Sequence, residues 1–166
     1  MSTTHVSEHL KHTVGRALGR VPSGVYILTA RHDGQSAAMM VSWVQQAAFQ
    51  PPAVSVAVQK DRPLREMIHA SRSFALAVVG EGESPLMKKY ARGIPPGQDP
   101  FEGVEVIQTP GGQTVPSAAL AWLECSVQSV CEFGGDHELV VARVTDGALL
   151  REGASFTHLR GNGFHY

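Results

Sequence analysis

The chain has little excess charge of either sign. Fourteen Lys and Arg stand against fifteen Asp and Glu, a formal net charge of −1, so the basic footprint of a nucleic-acid-binding surface is missing. No apolar run approaches the ~20 residues that a membrane helix needs. The opening stretch MSTTHVSEHLKHTVGRALGR has no apolar core of the secretory kind, so the expected location is the cytoplasm. There are two cysteines, Cys125 and Cys131, with neither a CxxC pair nor zinc spacing. Six residues apart on one strand they stand roughly 20 Å from each other, too far for a disulfide. Both are expected on the apolar side of that strand, as buried free thiols. No GxSxG surrounds a serine, and GEGE at 80–83 lacks the third glycine of a dinucleotide fingerprint.

What is present is apolar alternation. The chain is 43% hydrophobic and 17% charged over 166 residues, enough for one domain with a real core. Strands are expected at about 23–32, 37–49, 53–59, 73–80, 104–108, 119–132, 138–150 and 155–160, with a turn at PGGQTVP and a Gly-rich hairpin at GGDH. Residues 5–20 read as a helix with Leu10, Val14, Ala17 and Leu18 on one stripe; residues 1–16 would extend the domain as its N-terminal helical part. A second helix follows Asp61, an expected N-cap, with Leu64, Met67 and Ile68 inward. A third follows Ser84, another expected cap, with Leu86, Met87 and Tyr90 inward. The whole predicts a mainly β fold, an antiparallel barrel with a few short flanking helices.

Faces can be assigned by period two. Val54, Val56 and Val58 oppose Ala53, Ser55 and Ala57. Phe74, Leu76 and Val78 oppose Ser73, Ala75 and Ala77. Ala121, Leu123, Cys125, Val127 and Phe133 oppose Glu124, Ser126, Gln128 and Glu132. The bulky faces are expected to line one barrel core. The small faces leave a floor open to a helix, a second subunit or a flat ligand, and periodicity by itself favours the helix.

Few side chains suggest chemistry. Lys60 and Arg62 flank a helix start, where backbone N–H groups and the helix dipole favour an anion such as phosphate; a solvated basic turn would read the same. Trp43 is either core or the wall of an aromatic site. Ser42, Gln45 and Gln46 beside it bring polar groups that a dry core would exclude, or that face solvent. Asp136 and His137 are adjacent, but neighbours on a strand point to opposite faces. His5, His9 and His12 share a helix face without an evident fourth ligand, and a solvated helix explains them.

Several longer segments belong together: ALGRVPSGVYILTA, AMMVSWVQQAAFQPPAVSVAVQKDR, LMKKYARGIPPGQDPFEGVEV, ALAWLECSVQ, GGDHELVVARVTDG and THLRGNGFHY. On these, spanning about residue 17 to 166 in order, the chain resembles the flavin-reductase-like proteins with an FMN-binding split barrel. It is most similar to the flavin reductase module at the C-terminus of cyanobacterial flavodiiron proteins. The resemblance implies a homodimeric Greek-key split β-barrel forming one domain over 1–166, with FMN near the subunit interface. It implies NAD(P)H-dependent flavin reduction, with NADH or NADPH as co-substrate and reduced flavin or electrons delivered to a monooxygenase or another acceptor. It places Met40, Val41, Ser42, Trp43 and Gln45 along the isoalloxazine, Lys60 and Arg62 at the phosphate, and His137 toward the flavin as the catalytic residue. One position departs: relatives often carry a basic residue before the Phe of DPF, here Pro100. An alternative within the same resemblance is a flavoprotein that transfers electrons without NAD(P)H turnover.

Overall fold

The computed structural model describes residues 7–164. Its main feature is a seven-stranded antiparallel sheet in the order β3-β2-β6-β9-β10-β5-β4. These strands are β2 (Tyr26–His32), β3 (Gln35–Val41), β4 (Val44–Phe49), β5 (Pro52–Gln59), β6 (Ser73–Val78), β9 (Ala121–Glu132) and β10 (His137–Leu149). Two small ladders complete it. β1 (Ser23–Gly24) pairs with β11 (Thr157–His158), and β7 (Val106–Gln108) pairs with β8 (Thr114–Pro116). Three helices decorate the sheet: α1 (Glu8–Leu18), α2 (Pro63–Ser71) and α3 (Ser84–Ala91).

The sheet curls because its apolar face closes on itself. Leu28, Val41, Val56, Phe74, Val127 and Val140 come from six different strands yet share one buried cluster, and Leu64 and Ile68 of α2 join it. This is the split β-barrel that the resemblance implies. The valines of β5 and the inward residues of α2 stand where their periodicity puts them.

The sheet has a second apolar layer as well. Ala75 and Ala77, on the small face of β6, cluster with Leu86 and Tyr90 of α3 and with Trp122. A second apolar layer, to which β8 and α3 both contribute, therefore covers this small face, and the expectation of one barrel core is corrected to two clusters. Tyr90 also donates its hydroxyl to the carbonyl of Pro100 at 3.0 Å, which ties down the Pro-rich loop.

Other expectations are corrected by tertiary contacts. The expected strand 37–49 is two strands: β3 pairs with β2 and β4 pairs with β5, so Ser42 and Trp43 carry the chain from one sheet edge to the other. The expected strand 23–32 divides at Val25 for the same reason, and PGGQTVP closes into β8 rather than a plain turn. Asp61 and Ser84 are not N-caps. Arg62 and Glu83 hold those positions without side-chain caps; Pro63 is the first residue of α2 and Pro85 the second of α3. In α1, Ser7 is the N-cap and accepts from Leu10 N–H.

A bulge at Gln128 overturns the expectation for Cys131. Ser129 pairs with Val141 and Val127 with Ala142, so one residue of β9 is left over. The extra residue flips the parity beyond it. Cys125 and Val127 stay inside, Val130 packs on the core, and Cys131 turns outward and is exposed. Phe133, past the end of β9, is exposed rather than core.

Candidate functional site

Among the described residues no helix covers the small face of β5. Ser55 and Ala57, with Leu139 on the neighbouring β10, form the floor of a cleft of about 920 Å³. Gln45 and Gln46 of β4, Ser42, Trp43 and Tyr26 wall it on one side, and Leu18 and Val21 at the end of α1 form its rim. A second cleft of about 670 Å³ adjoins it, with Gln59, Arg62, Phe133, Asp136, His137 and Phe164 among its lining residues. Trp43, Ala57, Arg160 and Gly163 line both. One continuous groove thus runs from Gln45 past Trp43 to Arg62.

Trp43 can stand in the groove because it lies between strands. It follows β3 and precedes β4, and its carbonyl accepts the Ala57 N–H at 3.0 Å. Its ring meets the imidazole of His137 at 4.8 Å between centroids, tilted by 48°. Asp136 sits in the hairpin turn rather than on the strand, so its side chain folds back. His137 Nδ1 and Asp136 Oδ1 lie 2.9 Å apart, which corrects the expectation that the two point apart. That hydrogen bond holds the Asp136 carboxyl below its ordinary pKa. The Asp136 carboxylate is the acceptor for Nδ1–H, which leaves Nε2 as the ring nitrogen free for a ligand. The ring is buried, and Nε2 has no hydrogen-bond partner among the described residues. A buried polar atom beside a cleft is a place where a ligand would bond.

The other expected residues divide. Ser42 and Gln45 line the larger part of the groove and Arg62 the smaller. Met40 and Val41 do not line it: Val41 belongs to the barrel core and Met40 packs against the second cluster, which leaves only their backbone for a ligand. Lys60 stands beside Arg62 but is engaged with Glu132. His9 and His12 are exposed on α1, and His5 lies outside the described residues. Pro100 is buried and lines neither part of the groove.

Arg160 is a site residue that sequence reading missed. Only 7% exposed, it donates through Nη2 to Ser42 Oγ and places its guanidinium 5.1 Å from the centroid of the Trp43 ring. The tail that carries it is clasped by α1. Gly163 N–H donates to the Gly15 carbonyl at 2.7 Å, and Arg20 donates to the Arg160 carbonyl at 3.0 Å. No sequence signal separates Arg160 from an ordinary surface arginine, because its role depends on where the tail returns.

The groove suits a flat aromatic ligand with an anionic end: ring walls and polar donors at one end, Arg62 at the other. The family model of the flavin reductase like domain matches residues 18–162. The chain belongs to that family.

Curated relatives of this flavin reductase-like chain include a putative diflavin flavoprotein of Nostoc sp., 41% identical over 155 residues, and a diflavin flavoprotein of Synechocystis sp., 39% identical over 153. The matches cover 92% and 91% of this chain but only 27% and 26% of those proteins. The chain therefore spans about a quarter of their length, as a flavin reductase module within them would. Among solved structures, the NADH:FAD oxidoreductase SgcE6 of Streptomyces globisporus superposes with a TM-score of 0.83 at 24% identity, over 96% of this chain and 94% of that one. Component B of a nitrilotriacetate monooxygenase from Mycobacterium thermoresistibile gives 0.82 at 24%, over 93% and 86%. At that identity the likeness carries the fold. Within the described residues no helix is long and apolar enough to cross a membrane.

Proposed function

We propose that the chain is a cytoplasmic NAD(P)H:flavin oxidoreductase that binds FMN in the groove around Trp43. The observation that carries the reading is the buried His137 Nε2, held beside Trp43 in a groove that reaches Arg62. A flavin so bound supplies the hydride acceptor, and the chemistry is that of the cofactor.

The protein's part is position and charge. Backbone groups around Val41–Trp43, with Ser42 and Gln45, bond the polar edge of the ring system. Arg62 and Lys60 meet the phosphate at the start of α2, where unsatisfied N–H groups add to their charge. His137 Nε2, oriented through Asp136, accepts from the nicotinamide carboxamide or bonds a flavin ring atom. Ala57 and Ser55 are small enough to let a planar ring lie against β5.

A second copy of the chain completes the site. Leu10, Val14 and Leu18 on α1 and the adjoining Val21 are exposed, Leu18 and Val21 where they line the groove, and a homodimer would cover them. Related names fit the delivery of product: structures of similar fold include the flavin reductase of a styrene monooxygenase and BorF, the flavin reductase of a tryptophan halogenase. Reduced flavin passed to an oxygen-using partner is the corresponding role here.

The test is an anaerobic visible spectrum of the protein with FMN, followed after addition of NADH and then NADPH. Catalytic bleaching of the flavin bands by either donor is expected, and it names the donor. A stable yellow complex bleached by neither would move the reading to a flavoprotein that takes its electrons from another protein.

A further inference from the structure

Lys60, assigned above to the flavin phosphate, already has an anion. Its ammonium contacts Oε2 of Glu132, the last residue of β9. Lys60 N–H also donates to the Asp136 carbonyl at 3.0 Å, which ties the pair to the turn before His137; Asp136 and Arg62, rather than Lys60 itself, line the second cleft. The Glu132 side chain is 52% exposed and that of Lys60 33%, so the pair is not a buried anchor of the fold. Its hydrogen bond to Lys60 holds the Glu132 carboxyl below its ordinary pKa. Near neutral pH it is a standing negative charge.

A phosphate monoester carries about −1.5 to −2 at neutral pH. Two anions sharing one ammonium repel at close range. We infer that Glu132 is a built-in competitor for the flavin phosphate at Lys60, and that it sets how loosely the flavin is held. The inference rests on the phosphate role given to Lys60 above.

Arg65 makes the exchange workable. Its Nη2 stands 3.8 Å from the other Glu132 oxygen, while its Nε holds the fully buried Glu138 at 2.8 Å. A Glu132 carboxylate displaced from Lys60 has a second cation beside it. Loose binding suits a protein that releases reduced flavin to a partner; tight binding suits one that keeps it.

The experiment measures dissociation constants of FMN and of riboflavin, which lacks the phosphate, by tryptophan and flavin fluorescence. The proteins are the wild type, Glu132→Gln, Lys60→Met and the double variant. Glu132→Gln is expected to tighten FMN about three- to tenfold and riboflavin less than about twofold. The gain should vanish in the Lys60→Met background and shrink at high salt. Equal changes for FMN and riboflavin, or weaker FMN binding, would overturn the competitor role and make Glu132 a support for Lys60. A wild type that binds FMN no better than riboflavin, unchanged by Lys60→Met, would remove the phosphate role of Lys60 and the competition with it. The FMN-to-riboflavin ratio is read within each variant, so a general loss of stability does not imitate either result.

Discussion

Arg160 stands over the ring of Trp43 in the wall of the groove, the guanidinium 5.1 Å from the indole centroid. The same guanidinium donates to Ser42 Oγ. One residue from the tail thus braces the two residues that carry the chain from β3 to β4. A guanidinium over an aromatic face is attracted to the ring quadrupole, and a buried charged hydrogen bond adds to it.

Arg160→Met should therefore cost about 2 kcal/mol of stability, shift the emission of Trp43, and weaken FMN binding. Arg160→Lys should recover only part of this, because an ammonium keeps the charge without the planar fork. Denaturant unfolding and FMN titration on the same samples check it. Variants that bind FMN like the wild type would leave Arg160 a structural brace.

The clasp between α1 and the tail is a close-approach device. A Cβ on Gly163 would lie 2.1 Å from Leu18 Cβ, and one on Gly15 would lie 2.9 Å from the Phe164 ring. Gly163→Ala should destabilise by about 1–3 kcal/mol. It should also lower FMN affinity, since Gly163 lines the groove and the tail carries Arg160. Loss of stability with unchanged affinity in the folded fraction would separate the clasp from the site.

The two thiols should differ sharply toward a thiol reagent. Burial pushes the Cys125 thiol up to about 12, whereas Cys131 is exposed. At pH 8 the native protein should yield one rapid equivalent, from Cys131, and two after denaturation. Cys131→Ser should abolish the rapid phase. No rapid equivalent would contradict the bulge at Gln128, and two would contradict the burial of Cys125.

Tyr90 gives a pH dependence. Burial, helped by the charge of Asp99, raises its phenol to about 12 from an ordinary value of 10.0. A raised folded pKa means that the stabilisation is complete below pH 10 and is lost as pH rises from 10 toward 12. Tyr90→Phe should be less stable by about 1 kcal/mol at pH 8, for want of the bond to the Pro100 carbonyl. The gap between the two should close over that alkaline window. Unfolding curves at pH 8, 10 and 11 check the sign.

Much of the fold is legible from period and composition. The valines of β5, the inward residues of α2 and α3, and the hairpin at GGDH stand where alternation, proline and glycine put them. These features are local: a side chain's face depends on neighbours two to four residues away. The resemblance carried by longer segments supplies the family, and the family model agrees with it.

Tertiary structure alone decided what lies against each small face. Ala75 and Ala77 look like Ser55 and Ala57 in sequence, yet a second apolar layer covers the first pair and leaves the second as the floor of the groove. It also decided which cysteine is buried, because a single bulge inverts every face beyond it. The return of the tail under α1 brings Arg160 to Trp43, and the meeting of β9 with the start of α2 brings Glu132 to Lys60. Contacts between residues far apart in the chain leave no period in the sequence; they exist only once packing has chosen which surfaces meet.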